Sequence, residues 1–122
     1  MIREDDTLSS AEFQTNRRFW EFADELMTSS RLVIDRPGVA PAPDYGYLEG
    51  TTAMDREGVD VWRGSLPELK VTGAIITVDL LKREAEVKLL VGCGAEEAAA
   101  ALAAHNVGRQ AAVLLLRHLK TG

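Results

Sequence analysis

Cysteine occurs once, at Cys93, and histidine twice, at His105 and His118, in a chain of 122 residues. One thiol cannot close an internal disulfide or build a cysteine cage, and two histidines so far apart do not suggest a metal-binding cluster, so structural zinc is not expected. Long apolar runs are missing as well. The longest, Ala98 to Ala104 and Ala111 to Leu116, fall well short of the roughly 18 to 20 residues that a membrane helix needs. The opening Met-Ile-Arg-Glu-Asp-Asp lacks the basic start and apolar centre of a secretory leader, and a cytoplasmic location is the expectation. Basic residues are outnumbered, 14 against 19 acidic, for a formal charge of -5. That balance argues against a broad nucleic-acid surface, since phosphate backbones are held by clustered Lys and Arg. A small anion in a local basic pocket remains compatible with it.

What is present suits one ordinary domain over residues 1–122. Apolar residues make up 46% and charged residues 27%, and a chain of this length buries roughly two-thirds of its unfolded surface. Ser9 precedes Glu12 at capping-box spacing, and Phe19, Phe22, Ala23 and Leu26 follow at helical intervals, which predicts a helix over about 10–28 whose stripe forms core. Leu32-Val33-Ile34 reads as a strand, followed by a loop rich in proline and glycine. Extended character returns at Tyr45 to Leu48. Alternation in Val59-Asp60-Val61-Trp62 places Asp60 and Trp62 on one side and the valines on the other.

The segment from Val71 to Gly92 predicts a hairpin turning at Lys82-Arg83. In that register Asp79 lies across from Glu86, and Ala74, Ile76, Val78 and Leu80 share an apolar face with Ala85, Val87, Leu89 and Val91. Thr77, Asp79, Glu84, Glu86 and Lys88 occupy the polar face. The face assignment holds for a register shift of two residues. Alanine-rich 95–104, with Glu96 and Glu97 in its first turn, predicts a second helix. Residues 110–118 are compatible with helix or buried strand, and strand is the reading adopted here.

Two acidic groups stand out: Asp55, Glu57 and Asp60 within a turn, and Asp79 with Glu86 on the hairpin. Opposed like charges destabilise a sheet unless water, a cation such as Lys88 or a hard metal offsets them. Mg²⁺ suits carboxylate oxygens, while a solvated acidic surface is the alternative reading. Arg36 can grip phosphate as a fork, Lys88 as a point charge, and Tyr45 as a hydroxyl donor.

Taken in order, Ile34-Asp35-Arg36, Asp44-Tyr45-Gly46-Tyr47, Asp55-Arg56-Glu57-Gly58-Val59-Asp60-Val61 and Gly73 through Lys88 resemble the soluble family I inorganic pyrophosphatases. The likeness spans about residues 33–91. It implies an α+β fold: a small five-stranded OB-like β-barrel with an N-terminal helix and a second helix near 95–104. It also implies Mg²⁺-dependent hydrolysis of pyrophosphate, or of another small phosphoanhydride, and a homo-oligomer. Residue by residue, the resemblance implies metal ligation by Asp55, Asp60, Asp79 and Glu86, and it puts Glu57 where the attacking water is oriented. Arg36, Lys88 and Tyr45 fall at phosphate-site positions. Glu57 stands where the family has aspartate and Gly58 where it has proline. The family's N-terminal Glu-x-Lys-x-Glu-like strand and C-terminal Tyr-Lys pair have no evident counterpart here. A homologue that binds metal and a phosphate-containing ligand without turnover is the alternative.

Overall fold

The computed structural model describes residues 17–53 and 57–117. They form an α+β arrangement in which helix α1 (17–28) and helix α2 (Ala95–Ala104) pack on opposite faces of one six-stranded mixed sheet. The strands are β1 (Arg31–Arg36), β2 (Asp44–Glu49), β3 (Val59–Arg63), β4 (Val71–Asp79), β5 (Glu84–Val91) and β6 (Gln110–Leu116). Their order across the sheet is β1-β2-β3-β5-β4-β6. All neighbours are antiparallel except β3 and β5. Among the described residues no helix is long and apolar enough to cross a membrane.

The expected five-stranded barrel is therefore corrected to an open six-stranded sheet. The extra strand, β6, adds outside β4 and leaves β1 and β6 as separate edges. Its outer edge is partly sealed, because the Asn106 side-chain amide accepts from Ala112 N at 2.9 Å and donates to Ala112 O at 3.4 Å. A side chain that occupies outward backbone groups is one way to blunt an edge strand. The strand reading of 110–118 matches β6 as far as Leu116.

In α1 the predicted stripe is corrected by a rotation of about one residue, roughly 100°. Trp20, Ala23 and Met27 are buried, whereas Phe19, Phe22 and Leu26 are exposed. Both sets recur at helical spacing, so periodicity identifies two overlapping apolar stripes and the packing partner selects one. Selection comes from Asp24, whose Oδ1 accepts from Val71 N at 3.0 Å and whose Oδ2 pairs with Arg117 Nη1 at 2.8 Å. These bonds turn the Trp20 side onto Leu48, Val61, Val71 and Leu89. The predicted cap at Ser9 and Glu12 lies outside the described residues.

The β4–β5 hairpin keeps its predicted faces but not its register. Asp79 pairs with Glu84 and Thr77 with Glu86, a shift of two residues. The cause is the turn: it takes four residues, Leu80 to Arg83, with Arg83 at φ +57° and the Asp79 carboxylate accepting from Leu81 N and Lys82 N. Such side-chain-to-backbone bonds make a turn on their own terms. α2 forms over the predicted residues. Glu97 Oε1 accepts from Gly94 N at 2.9 Å, the reach-back half of a capping box, and its Oε2 accepts from Ser65 N at 2.9 Å.

Candidate functional site

Asp60 and Trp62 point away from the α1 side of the sheet, as the alternation of β3 dictates. Parallel pairing of β3 with β5 sets Asp60 beside Lys88. At this point the polar side chains of three strands converge. Lys88 Nζ lies 2.7 Å from Asp60 Oδ2, 2.9 Å from Glu86 Oε2 and 3.1 Å from the Tyr45 hydroxyl. Lys88 is only 6% exposed. Burial alone would lower the pKa of its ammonium, but the bonds to Asp60, Glu86 and Tyr45 outweigh this and raise it. The Tyr45 hydroxyl is pushed up to about 12, first by burial and then by its hydrogen bond to Asp60, so it remains a donor at neutral pH.

Next to this cluster opens a polar cleft of about 540 Å³, lined by Asp35, Arg36, Tyr45, Tyr47, Glu57 and Asp60, with Gly46 in its floor. A bulge in β1 positions one wall: Ile34 pairs with Gly46 and Arg36 with Tyr45, which leaves Asp35 as the extra residue. Bulges re-aim side chains, and this one sets the Arg36 guanidinium over the Tyr45 ring, 4.9 Å from its centroid. Gly46 is required by close approach, because a Cβ there would collide with the Val33 carbonyl.

Five of the expected residues are thus gathered: Asp60, Glu86, Lys88 and Tyr45 in the cluster, with Arg36 on the Tyr45 ring. Glu57 joins them on the cleft wall. Asp79 is not among the cleft-lining residues. Its Oδ1 holds the β4–β5 turn and its Oδ2 accepts from Gln110 Nε2 at 3.3 Å, and the backbone bond from Lys82 leads in holding its carboxyl below the usual carboxylate range. The expected role of Asp55 lies outside the described residues.

Trp62 and His105 are the members that sequence reasoning left out. Trp62 packs edge-on against Tyr45, ring centroids 4.5 Å apart, and its Nε1–H donates to His105 Nε2 at 3.1 Å. His105 Nδ1 lies 3.0 Å from Gln110 Oε1, which completes the tautomer: Nε2 accepts and Nδ1–H donates. Burial holds the His105 pKa below the ordinary imidazole value. The alternation of β3 already put Trp62 on the Asp60 side, and that was the available signal. His105 carried none, because its tie to the cluster runs through Trp62, which lies on a distant strand.

Chemically, the hollow is walled by the Arg36 guanidinium, the carboxylates of Asp35, Glu57 and Asp60 and the protonated phenol of Tyr45, while the Lys88 ammonium and Glu86 are not among its lining residues and reach it through Asp60 and Tyr45. Cations of this kind stabilise phosphoryl oxygens, while the carboxylates favour a hard metal or orient water. Compared with known proteins, the chain matches no family model, no curated protein and no solved structure.

Proposed function

We propose that the chain hydrolyses inorganic pyrophosphate, or another small phosphoanhydride, to phosphate in a Mg²⁺-dependent reaction at this cleft. The carrying observation is the meeting of Tyr45, Asp60 and Glu86 at the Lys88 ammonium, beside a hollow faced by Arg36 and Glu57. The ordered likeness of residues 33–91 to family I pyrophosphatases supports the same reading.

The donor chemistry suits Mg²⁺ in an open site. Asp35, Glu57 and Asp60 bring hard oxygens to the cleft, and Mg²⁺ needs only one or two carboxylates when water and phosphate fill its other positions. Among the described residues no group of three or more Asp, Glu, His or Cys is placed to hold a metal ion by itself. Asp60 and Glu57 are the residues that would hold the ion together with substrate. When bound, it supplies charge neutralisation on the phosphate and a more acidic water.

The chain's own groups do the remainder. Arg36 presents a planar fork to one phosphate and Lys88 a point charge, both suited to charge that builds on oxygen. Glu57 accepts a hydrogen bond from the attacking water and orients it. Asp60 and Glu86 keep Lys88 in place, and the Tyr45 hydroxyl donates to Asp60. Phosphate release from pyrophosphate, followed with and without Mg²⁺, tests the proposal. Release that needs Mg²⁺ is expected; no release across metals and pH would overturn it.

One observation favours the second reading, binding without turnover: the buried Lys88 ammonium is already tied to three oxygens. Calorimetry with Mg²⁺ and imidodiphosphate separates the two, since binding without hydrolysis of pyrophosphate selects the second.

A further inference from the structure

We infer that the face of β4, β5 and β6 left uncovered by α1 is buried against a second copy of this chain, sheet face to sheet face. Register alone defines that face. Val87, Ile76 and Val113 form one cross-strand row and Ala85, Val78 and Ala111 the next, with Leu115 beside Ala74 in the row nearer α1. Neither row contains a polar side chain. Val78 is 50% exposed and Val113 57%, and the exposed Phe22 and Leu26 of α1 continue the patch across a groove of about 530 Å³.

Three observations select a second copy. The first is area: these exposed side chains present on the order of 500 Å² of apolar surface, at the upper end of what monomers leave open. Two copies would together bury on the order of 1,000 Å², about the threshold for a specific interface. The second is charge. In a chain of formal charge -5, association between copies must avoid carboxylate against carboxylate, and these rows contain none. A two-fold contact places the same surface on both sides, so these two charge-free rows are self-complementary, with Glu86 confined to the groove and the Arg18 guanidinium to Phe22 beside them. The third is the β6 edge. With the outward groups of Ala112 engaged by Asn106, lengthening the sheet at β6, the edge beside these rows, is disfavoured relative to stacking of the faces about 10 Å apart.

Sedimentation equilibrium of the full chain at tens of micromolar tests the inference, with Val113→Lys and Val87→Asp as variants. Both positions are exposed, so near-UV circular dichroism should stay that of the wild type. A wild-type dimer that becomes monomeric in both variants is expected, with the apparent dissociation constant raised at least tenfold. A monomeric wild type, or a dimer that both variants retain, would overturn the inference. So would a monomer that floats with phosphatidylcholine vesicles, which would assign the face to lipid.

Discussion

The two faces of the β4–β5–β6 sheet are covered in the reverse of what their composition suggests. One carries Thr77, Glu86 and Lys88 and is packed beneath α2 and beside the cleft, with Thr77 only 3% exposed. The other carries only apolar side chains in its outer rows and stands open. Burying a Lys is costly unless its charge is paired and its donors satisfied. Here all three partners are oxygens within 3.1 Å. That pairing offsets the cost of burying the charge and leaves the polar face dependent on all four groups being present together.

Mutations that break this contrast differ in size. Lys88→Met should have the largest effect, on the order of 3–5 kcal/mol, because Asp60 and Glu86 would be left close together without their shared cation. Urea denaturation measures it, and adding Glu86→Gln to Lys88→Met should restore part of the loss. Ile75→Ala, at a fully buried position between the sheet and α2, should cost about 2–4 kcal/mol. Val113→Ala on the open face should change monomer stability by less than about 0.5 kcal/mol. Any further loss in that variant should depend on protein concentration, as linkage to association requires.

Titration sharpens the same contrast. Lys88 and Tyr45 both have folded pKa values above their unfolded ones. The folded state therefore keeps protons that the unfolded chain releases above about pH 10, and stability should fall as pH rises from there. His105 shifts the other way. Its contribution is present above about pH 6.5 and is lost as pH falls through its lowered folded pKa. Thermal melts across pH should show both limbs. The acid limb should be shallower in His105→Gln and the alkaline limb shallower in Lys88→Met.

Much of the site could be read from local sequence. Alternation alone aimed Asp60 and Trp62 to the same side, and the apolar rows of the hairpin survived a register shift of two because side-chain direction repeats every second residue. The register itself depended on Asp79 closing a four-residue turn, a matter of side-chain-to-backbone bonding that Lys82-Arg83 does not announce. Barrel closure failed for a different reason. Whether β6 joins β4, and whether β3 meets β5 in parallel, depends on pairings between distant segments. The exposed Phe19, Phe22 and Leu26 show the same limit at the level of one helix: spacing defines a stripe, and only the packed partner decides whether it is core.

The claim that the buried polar cluster serves hydrolysis is tested most directly by Asp60→Asn, which keeps shape and removes charge. With folding verified and Mg²⁺ and pyrophosphate saturating, the rate of phosphate release should fall by about a hundredfold or more. A rate equal to that of the wild type would contradict the assignment of this cluster as the reacting site.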